Sequence, residues 1–452
     1  MNSSHTAIRH LEEALLAADV RDCDVCLALS GGMDSVALLG AFQALAHKHG
    51  LVLTALHVNH GLSPNAGDWE KFCAALCARL GVALSIEKVE VARDAGLGIE
   101  AAARLARYQV FARQRAGFVA LAHHLDDQVE TFMIQLLRGA GAKGLAAMPA
   151  LRAPWRDGPR LLRPWLQLSR SAIEDYARSL ALDWVEDESN DDHALDRNYL
   201  RHRVLPAIAE RFPAYRGTIA RSVRNLADAA VLADMLAQLD HGAAAAGNEG
   251  LQLAVLGALP LPRALNLLRY LFVRAGAELP RRVALEEALR QCLQARNDAQ
   301  VRVDSGAFSL RRFRNRVFLV ENLALPEGWR ARWQGESHLW LPAGYGRLMF
   351  ERAQGEGLSV DKLSAGAVTV RFREGGERMA LAQDRPHRHL RHLFQEFAIA
   401  PWLRERAPLL FCDERLAYVS GIGAAAEFKA RPDEPSLLLK WDSAGKVEEG
   451  AC

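Results

Sequence analysis

Residues 25–35 constrain the fold of this chain more than any other stretch. Val25-Cys26-Leu27-Ala28-Leu29 is a short apolar run suited to a buried strand. Ser30-Gly31-Gly32-Met33-Asp34-Ser35 follows at once, and apolar residues at helical spacing continue to His49. The pattern then recurs: strands are expected at 25–30, 51–58, 82–91 and 117–122, with helices at 68–80, 99–116 and 126–138 between and after them. Strands alternating with helices predict an α/β fold with a doubly wound parallel sheet. Strands this apolar fit burial on both faces.

A glycine turn between a strand and a helix can cradle a phosphate. Glycine lets the backbone approach the anion, and the free N–H groups of the first helical turn point at it. Serine hydroxyls add donors. An aspartate there would repel phosphate unless it holds a cation, so Asp34 is a candidate Mg²⁺ ligand. The string is neither GxxxxGK[ST] nor GxGxxG. It resembles the PP-loop of the N-type ATP pyrophosphatases, a Rossmann-like, adenine nucleotide alpha hydrolase-like fold. The resemblance implies that Ser30, Gly31, Gly32, Met33, Asp34 and Ser35 grip the phosphates of ATP, which leaves as AMP and pyrophosphate.

Four further strings narrow the likeness. They are His57-Val58-Asn59-His60-Gly61-Leu62; Ala122-His123-His124-Leu125-Asp126-Asp127-Gln128-Val129-Glu130-Thr131; Arg138-Gly139-Ala140-Gly141-Ala142-Lys143-Gly144-Leu145; and Asp187-Glu188-Ser189-Asn190 with Arg197-Asn198-Tyr199-Leu200-Arg201. A later stretch, Arg371-Phe372-Arg373-Glu374-Gly375-Gly376-Glu377-Arg378, then a His/Arg-rich helix and Pro401-Trp402-Leu403-Arg404, extends it. Together they resemble the tRNA(Ile)-lysidine synthetase family. That resemblance implies a carbon–nitrogen ligase. It would activate C2 of the wobble cytidine in a tRNA(Ile) with a CAU anticodon as an adenylate, using ATP and Mg²⁺. The amine of L-lysine would displace AMP, changing the codon read from AUG to AUA and the amino acid carried from Met to Ile. Three parts are expected: an ATP-binding catalytic domain over 1–215, a helical tRNA-binding domain over 216–325, and a small α/β tRNA-binding domain over 326–452. Family members are often dimers, so the resemblance also brings in a homodimer.

The residues suit that chemistry. Asp126, Asp127 and Glu130 lie three and four apart, on one helix face. Such carboxylates suit the lysine substrate or Mg²⁺, although an acidic first turn also serves the helix dipole alone. The attacking amine must be neutral, and one of these groups or His123 is expected to take its proton. Glu100, Arg104, Arg107 and Tyr108 share a helix. Arg104 is read as stabilising charge on the α-phosphate, with an intrahelical Glu–Arg pair as the plainer alternative. His57 and His60 are read as shaping the nucleotide or base pocket. A zinc cluster with Cys23, Cys26, Cys73 and Cys77 is set aside, because the cysteines fall at core positions.

The chain has 452 residues and a net charge of +2, which excludes a wholly basic nucleic-acid-coating protein. Its charge is nevertheless concentrated. Lysine accounts for 8 of 56 basic residues, so 48 are arginine. Arg197, Arg201, Arg203, Arg211, Arg216, Arg221 and Arg224 face one acid, Glu210. A second cluster runs from Arg371 to His392. Both are expected to meet tRNA phosphates. Trp155, Trp165, Trp184 and Trp402 are candidates for base stacking, with core packing the simpler role. Residues 150–165, rich in proline and arginine, are expected to form an exposed loop, and 243–250 another.

Seven cysteines make no disulfide framework. The first residues lack the pattern of a signal peptide, and no apolar run is long enough to span a membrane. A cytoplasmic protein is expected. Two other readings stay open: another PP-loop tRNA modifier, a cytidine or uridine thiolase, and a tRNA-binding protein without catalysis.

Overall fold

The computed structural model describes residues 3–91, 99–153, 158–188, 194–244, 250–296, 299 and 301–443. Trp155, Ser189, Asn190, most of 243–250 and the side chain of Glu100 lie outside the described residues. The chain divides into two units, Met1–Met235 and Leu236–Cys452. Among the described residues no helix is long and apolar enough to cross a membrane.

The first unit opens with α1 (Ser3–Ala17), β1 (Asp24–Ala28), α2 (Met33–Ala46), β2 (Val52–Asn59), α3 (Ala66–Leu80) and β3 (Ala83–Lys88). It continues with α4 (Ile99–Ala112), β4 (Phe118–Ala120), α5 (Leu125–Leu137), α6 (Ala142–Leu145), β5 (Leu151–Arg152), β6 (Arg160–Leu162) and α7 (Arg170–Ser179). The sheet order is β3-β2-β1-β4-β6-β5. All neighbours are parallel except the β5–β6 pair. The order reverses at β1, which pairs with β2 on one side and β4 on the other. In such sheets ligands bind beyond the carboxyl ends of the strands at that reversal.

Alternation along β1 explains the layers. Val25, Leu27 and Leu29 enter one core with α1, α2, α3 and α7. Cys26 enters the other, with Leu56, Val119, Leu121 and with Val110 and Phe111 of α4. Helix α2 is therefore sealed against the sheet along most of its length, from Met33 to Leu45. Cys73 and Cys77, one helical turn apart on α3, are both buried in the first core, as their spacing predicts.

Residues 150–165 are a correction. The stretch forms β5 and β6, and Leu161, Leu162, Arg163 and Trp165 are buried. Composition misled because an arginine can be buried where part of its guanidinium finds hydrogen-bond partners. Arg163 donates to the Pro149 carbonyl at 2.9 Å and to the Tyr108 hydroxyl at 3.2 Å.

After α7 come α8 (Asp196–Tyr199), a π-helical turn over Leu200–Val204, α9 (Leu205–Arg211) and α10 (Tyr215–Ala244), which runs into the second unit. The middle segment is less uniformly helical than expected. Helices Leu253–Ala258, Leu261–Arg274 and Arg282–Gln294 pack with an antiparallel sheet ordered Leu251–Gln252, Arg316–Glu321, Phe308–Phe313, Arg302–Ser305. The C-terminal part is β-rich. Val368–Arg371, Leu409–Cys412 and Arg415–Val419 lie at the heart of one sheet, and Arg347–Gln354 pairs with Pro435–Asp442 in another. The expected helix near 386–398 is the shorter Leu390–Glu396.

Candidate active site

The phosphate loop takes the shape its glycines permit. Gly31 has φ +91°, a conformation side chains rarely adopt. A Cβ there would lie 2.9 Å from Val185 Cγ2 and 3.2 Å from Cys73 Sγ. Val185 N–H donates to the Gly31 carbonyl at 3.0 Å, which ties the segment after α7 over the loop. The loop then closes on itself. Ser35 Oγ donates to the Gly32 carbonyl at 2.9 Å, and Ser30 N–H and Gly32 N–H donate to Ser35 Oγ and Ser30 Oγ at 3.2 and 3.3 Å. Helix α2 starts after Gly32 with no side-chain cap. Its first N–H groups are thus available to an anion. Met33 offers only its backbone, because its side chain is buried in the core.

A second helix N-terminus meets the first. His124, bridged to Trp165 beyond the end of β4, caps α5: its Nδ1 accepts from Asp127 N–H at 3.4 Å, while Asp127 Oδ2 accepts from His124 N–H at 3.0 Å. That reciprocal cap aims the other face of the imidazole at the phosphate loop. His124 Nε2 lies 3.7 Å from Asp34 Oδ2 and 3.6 Å from Asp127 Oδ2. Asp34, His124 and Asp127 therefore form one group at the topological reversal.

Electrostatics divides the carboxylates. Burial raises Asp34 above its ordinary value, against the pull of His124 and Arg170. Burial also pushes at Asp127, but His124, His123 and Arg197 outweigh it and hold the carboxyl low. Asp126 is likewise held low despite burial, because its oxygens accept from Arg170 N–H at 3.0 Å and from Arg216 Nε. Glu130, 1 % exposed, is gripped in a fork by Arg201 at 2.7 and 3.0 Å and approached by Arg197 Nε at 3.3 Å. Burial raises that carboxyl while Arg201 opposes the rise, and the fork geometry favours an ionised pair.

Asp34 Oδ1 is buried and has no hydrogen-bond partner. An unsatisfied hard oxygen beside the Asp127 carboxylate fits Mg²⁺, which takes few protein ligands and completes its shell with water and phosphate oxygens. Among the described residues no three His, Cys, Asp or Glu side chains come together as a metal-holding cluster, so Asp34 and Asp127 would leave most of the shell to water and phosphate.

The remaining expected residues separate. His57 is 3 % exposed, with Nδ1 2.9 Å from the Leu29 carbonyl, so it pins β2 to the end of β1 and supports the loop from behind. The same Nδ1 lies 3.5 Å from Cys73 Sγ of α3. His60 is kept neutral, pushed down to about 4 by burial and by Arg107. His123 falls to about 3, again through burial, which makes it a poor proton acceptor. Arg104 on α4 stacks over Tyr108, its guanidinium 4.9 Å from the ring centre.

The expected tRNA face also changes. Arg197, Arg201 and Arg216 turn inward onto Glu130 and Asp126, leaving Arg203, Arg211, Arg221 and Arg224 on the exposed side. Trp165 is wholly buried and donates to the Ala7 carbonyl at 3.1 Å. Trp402 is enclosed by Phe313 and Phe318, with ring centres 6.0 and 5.2 Å away. Neither can stack on a base.

Two participants escaped the sequence reading. His124 was legible as a cap, since an aspartate follows three residues later in the capping-box position. Arg163 carried no such signal, because its partners come from other elements.

Known proteins resemble this chain along most of its length. A PP-loop domain model matches residues 4–208, a TilS substrate binding domain model 251–318, and a TilS substrate C-terminal domain model 368–441. A tRNA(Ile)-lysidine synthase of Nitrosomonas europaea is 43 % identical over 430 residues, covering 94 % of this chain and 93 % of that protein. One of Azoarcus sp. (strain BH72) is 40 % identical over 440 residues, covering 97 % and 96 %. Among solved structures, a U34-tRNA thiolase from Methanococcus maripaludis aligns over 49 % of this chain and 78 % of its own, at 19 % identity and TM-score 0.42, too slight a likeness to weigh. With a phosphate loop, an acid–imidazole group at the sheet's reversal and relatives alike over nearly the whole length, the chain belongs to the tRNA(Ile)-lysidine synthase family.

Proposed function

We propose that this protein ligates L-lysine to C2 of the wobble cytidine of a tRNA(Ile) bearing CAU, with ATP cleaved to AMP and pyrophosphate. The observation that carries the reading is the convergence of two helix N-termini, α2 and α5, on the Asp34–His124–Asp127 group. The uncapped end of α2 supplies N–H donors for the triphosphate, and the positive helix end favours the anion. Asp34 and Asp127 are the groups that would hold Mg²⁺, which neutralises phosphate charge when bound. Arg104, exposed on α4, is assigned to the charge that grows on the α-phosphoryl group as pyrophosphate leaves.

The acidic first turn of α5 is assigned to the lysine substrate. Asp127 is held ionised by its neighbours and suits an ammonium. Asp126 and Glu130 are already engaged by Arg216, Arg197 and Arg201, so their role in this reading is to hold the helix and those arginines in place. Arg203, Arg211, Arg221 and Arg224, with the basic stretch 371–392, are assigned to tRNA phosphates. The three-part division at 215/216 and 325/326, a cytoplasmic location and a homodimer belong to the same reading.

A thiolase reading finds no support in the cysteines. Cys73 and Cys77 are buried and Cys73 is pushed up to about 12 by burial, the reverse of a sulfur carrier's thiol. The test is direct. The protein is incubated with Mg²⁺, ATP, L-lysine and a tRNA(Ile) transcript bearing CAU, and the digested RNA is analysed by mass spectrometry. A lysine-dependent gain on one cytidine supports the reading, and ATP cleavage without that gain overturns it.

A further inference from the structure

Three arginines converge on one phenol at the carboxyl edge of the sheet. Tyr108 Oη accepts from Arg104 at 3.1 Å and from Arg163 at 3.2 Å. The guanidinium of Arg152 lies 5.8 Å from the same ring. Among the described residues none of the three guanidinia is paired with a carboxylate, and the phenol hydrogen has no acceptor.

Such a cluster is costly by itself. Arg163 is 2 % exposed, and its Nε is buried with no hydrogen-bond partner. Buried cations without counter-charge are stabilised by an anion. The phenol is prepared for the same partner. With its oxygen occupied by two cationic donors, its remaining capacity is to donate. Burial pushes its acidity one way, Arg163 and Arg104 push it further the other, and the result lies below the ordinary tyrosine value. A more acidic phenol donates more strongly to an oxyanion.

Position supports a role in the reaction. Arg163 directly follows β6, and His123, on which Arg163 and Arg104 both act, lies three residues beyond the end of β4. His123 adjoins His124, the residue set against Asp34. Arg104 and Arg152 are exposed, so the cluster opens to solvent on the ligand-binding edge.

We propose that Tyr108 is an anion-binding residue of the active site, its O–H donating to a phosphate oxygen of a substrate within the frame of Arg104, Arg152 and Arg163. The proposal rests on the reaction given above for the site. Phosphate oxygens reach this edge from two sources, the α-phosphate of ATP and the RNA backbone beside the modified nucleotide. Arg163, tied to the Pro149 carbonyl, acts as a positioning residue that holds the phenol.

The experiment compares wild type, Tyr108→Phe and the exposed-residue variant Arg104→Gln in the full chain. Thermal melting checks that each folds. ATP affinity is measured by calorimetry, and tRNA affinity by filter binding across a series of NaCl concentrations. A hydrogen bond to a charged group predicts a loss of roughly tenfold or more in one arm for Tyr108→Phe. A loss confined to ATP assigns the nucleotide phosphate. A loss confined to tRNA, with the salt slope of Arg104→Gln flattened by about 0.7–0.9, assigns the RNA backbone. Both affinities within twofold of wild type in both folded variants would overturn the proposal. These arms need no turnover, so wild type that binds ATP and tRNA but forms no lysidine would count against the assigned reaction and leave the anion site to be judged on its own.

Discussion

Glu130 offers the sharpest test of how the acidic cluster is held. Its carboxylate is 1 % exposed and takes the Arg201 fork at 2.7 and 3.0 Å, with Arg197 at 3.3 Å. Removing one partner of a buried pair costs about 3–5 kcal/mol, because the charge left behind is stranded. Here the two arginine side chains are 25 % and 27 % exposed, so they can turn partly to water. Burial of the carboxylate works the other way and trims the loss further, but unlike Asp34 this group leaves a forked arginine stranded, so about 2–3 kcal/mol should then remain for Glu130→Gln. For a unit of 235 residues, at about 2–4 °C per kcal/mol, the melting transition should fall by roughly 4–12 °C. The assay is scanning calorimetry on the full chain, with Arg201→Met and the double variant completing a cycle. Replacing both partners by uncharged groups should recover part of the loss, giving a coupling of about 1 kcal/mol or more. A Glu130→Gln transition within about 1 °C of wild type would refute the reasoning. So would strict additivity in the cycle. If Tm held while the KM for lysine rose, Glu130 would belong to the substrate rather than to the arginines.

Three further outcomes follow from the same geometry. Burial raises Asp34 in the folded state, so its ionised form opposes folding at neutral pH and that penalty fades as pH falls through the folded value. Asp34→Asn should therefore melt above wild type without Mg²⁺ while losing ATP cleavage, and a lower Tm would contradict the assignment. Gly31→Ala puts a methyl 2.9 Å from Val185 Cγ2 at φ +91°, so it should cost about 1–3 kcal/mol and weaken ATP binding, and an unchanged ATP affinity would count against the loop geometry. His123 stands at about 3 when folded against 6.5 ordinarily, so the unfolded chain gains a proton that the folded chain refuses as pH drops from about 6.5 towards about 3. His123→Gln should flatten the fall of Tm across that window, and an unaltered pH profile would place the acid sensitivity elsewhere.

Much of the catalytic unit could be read along the chain. Strand and helix alternation announced the parallel sheet, and the string from Ser30 to Ser35 announced a phosphate loop between β1 and α2. Both are local properties: an apolar run, a glycine turn and a periodic helix are written in consecutive residues. The spacing of Cys73 and Cys77 was likewise enough to put them in the core. The acids of α5 were visible as one helix face, since three- and four-residue spacing brings side chains together wherever the helix lies.

What each group does there depends on partners distant in sequence. His57 looked like a pocket residue but is spent on the Leu29 carbonyl, 28 residues away. Arg197, Arg201 and Arg216 looked like a tRNA face, yet they neutralise carboxylates 67 to 90 residues earlier. Residues 150–165 looked like a loop, yet β6 fits beside β4, because Arg163 finds the Pro149 carbonyl and Tyr108. The difference is physical. Helical periodicity and turn chemistry are short-range and survive in any surroundings. Burial, desolvation and ion pairing depend on which elements the folded chain sets side by side, so whether a charged residue is ligand, anchor or footprint was settled only when β1, β4, α5 and the arginines after α7 came together.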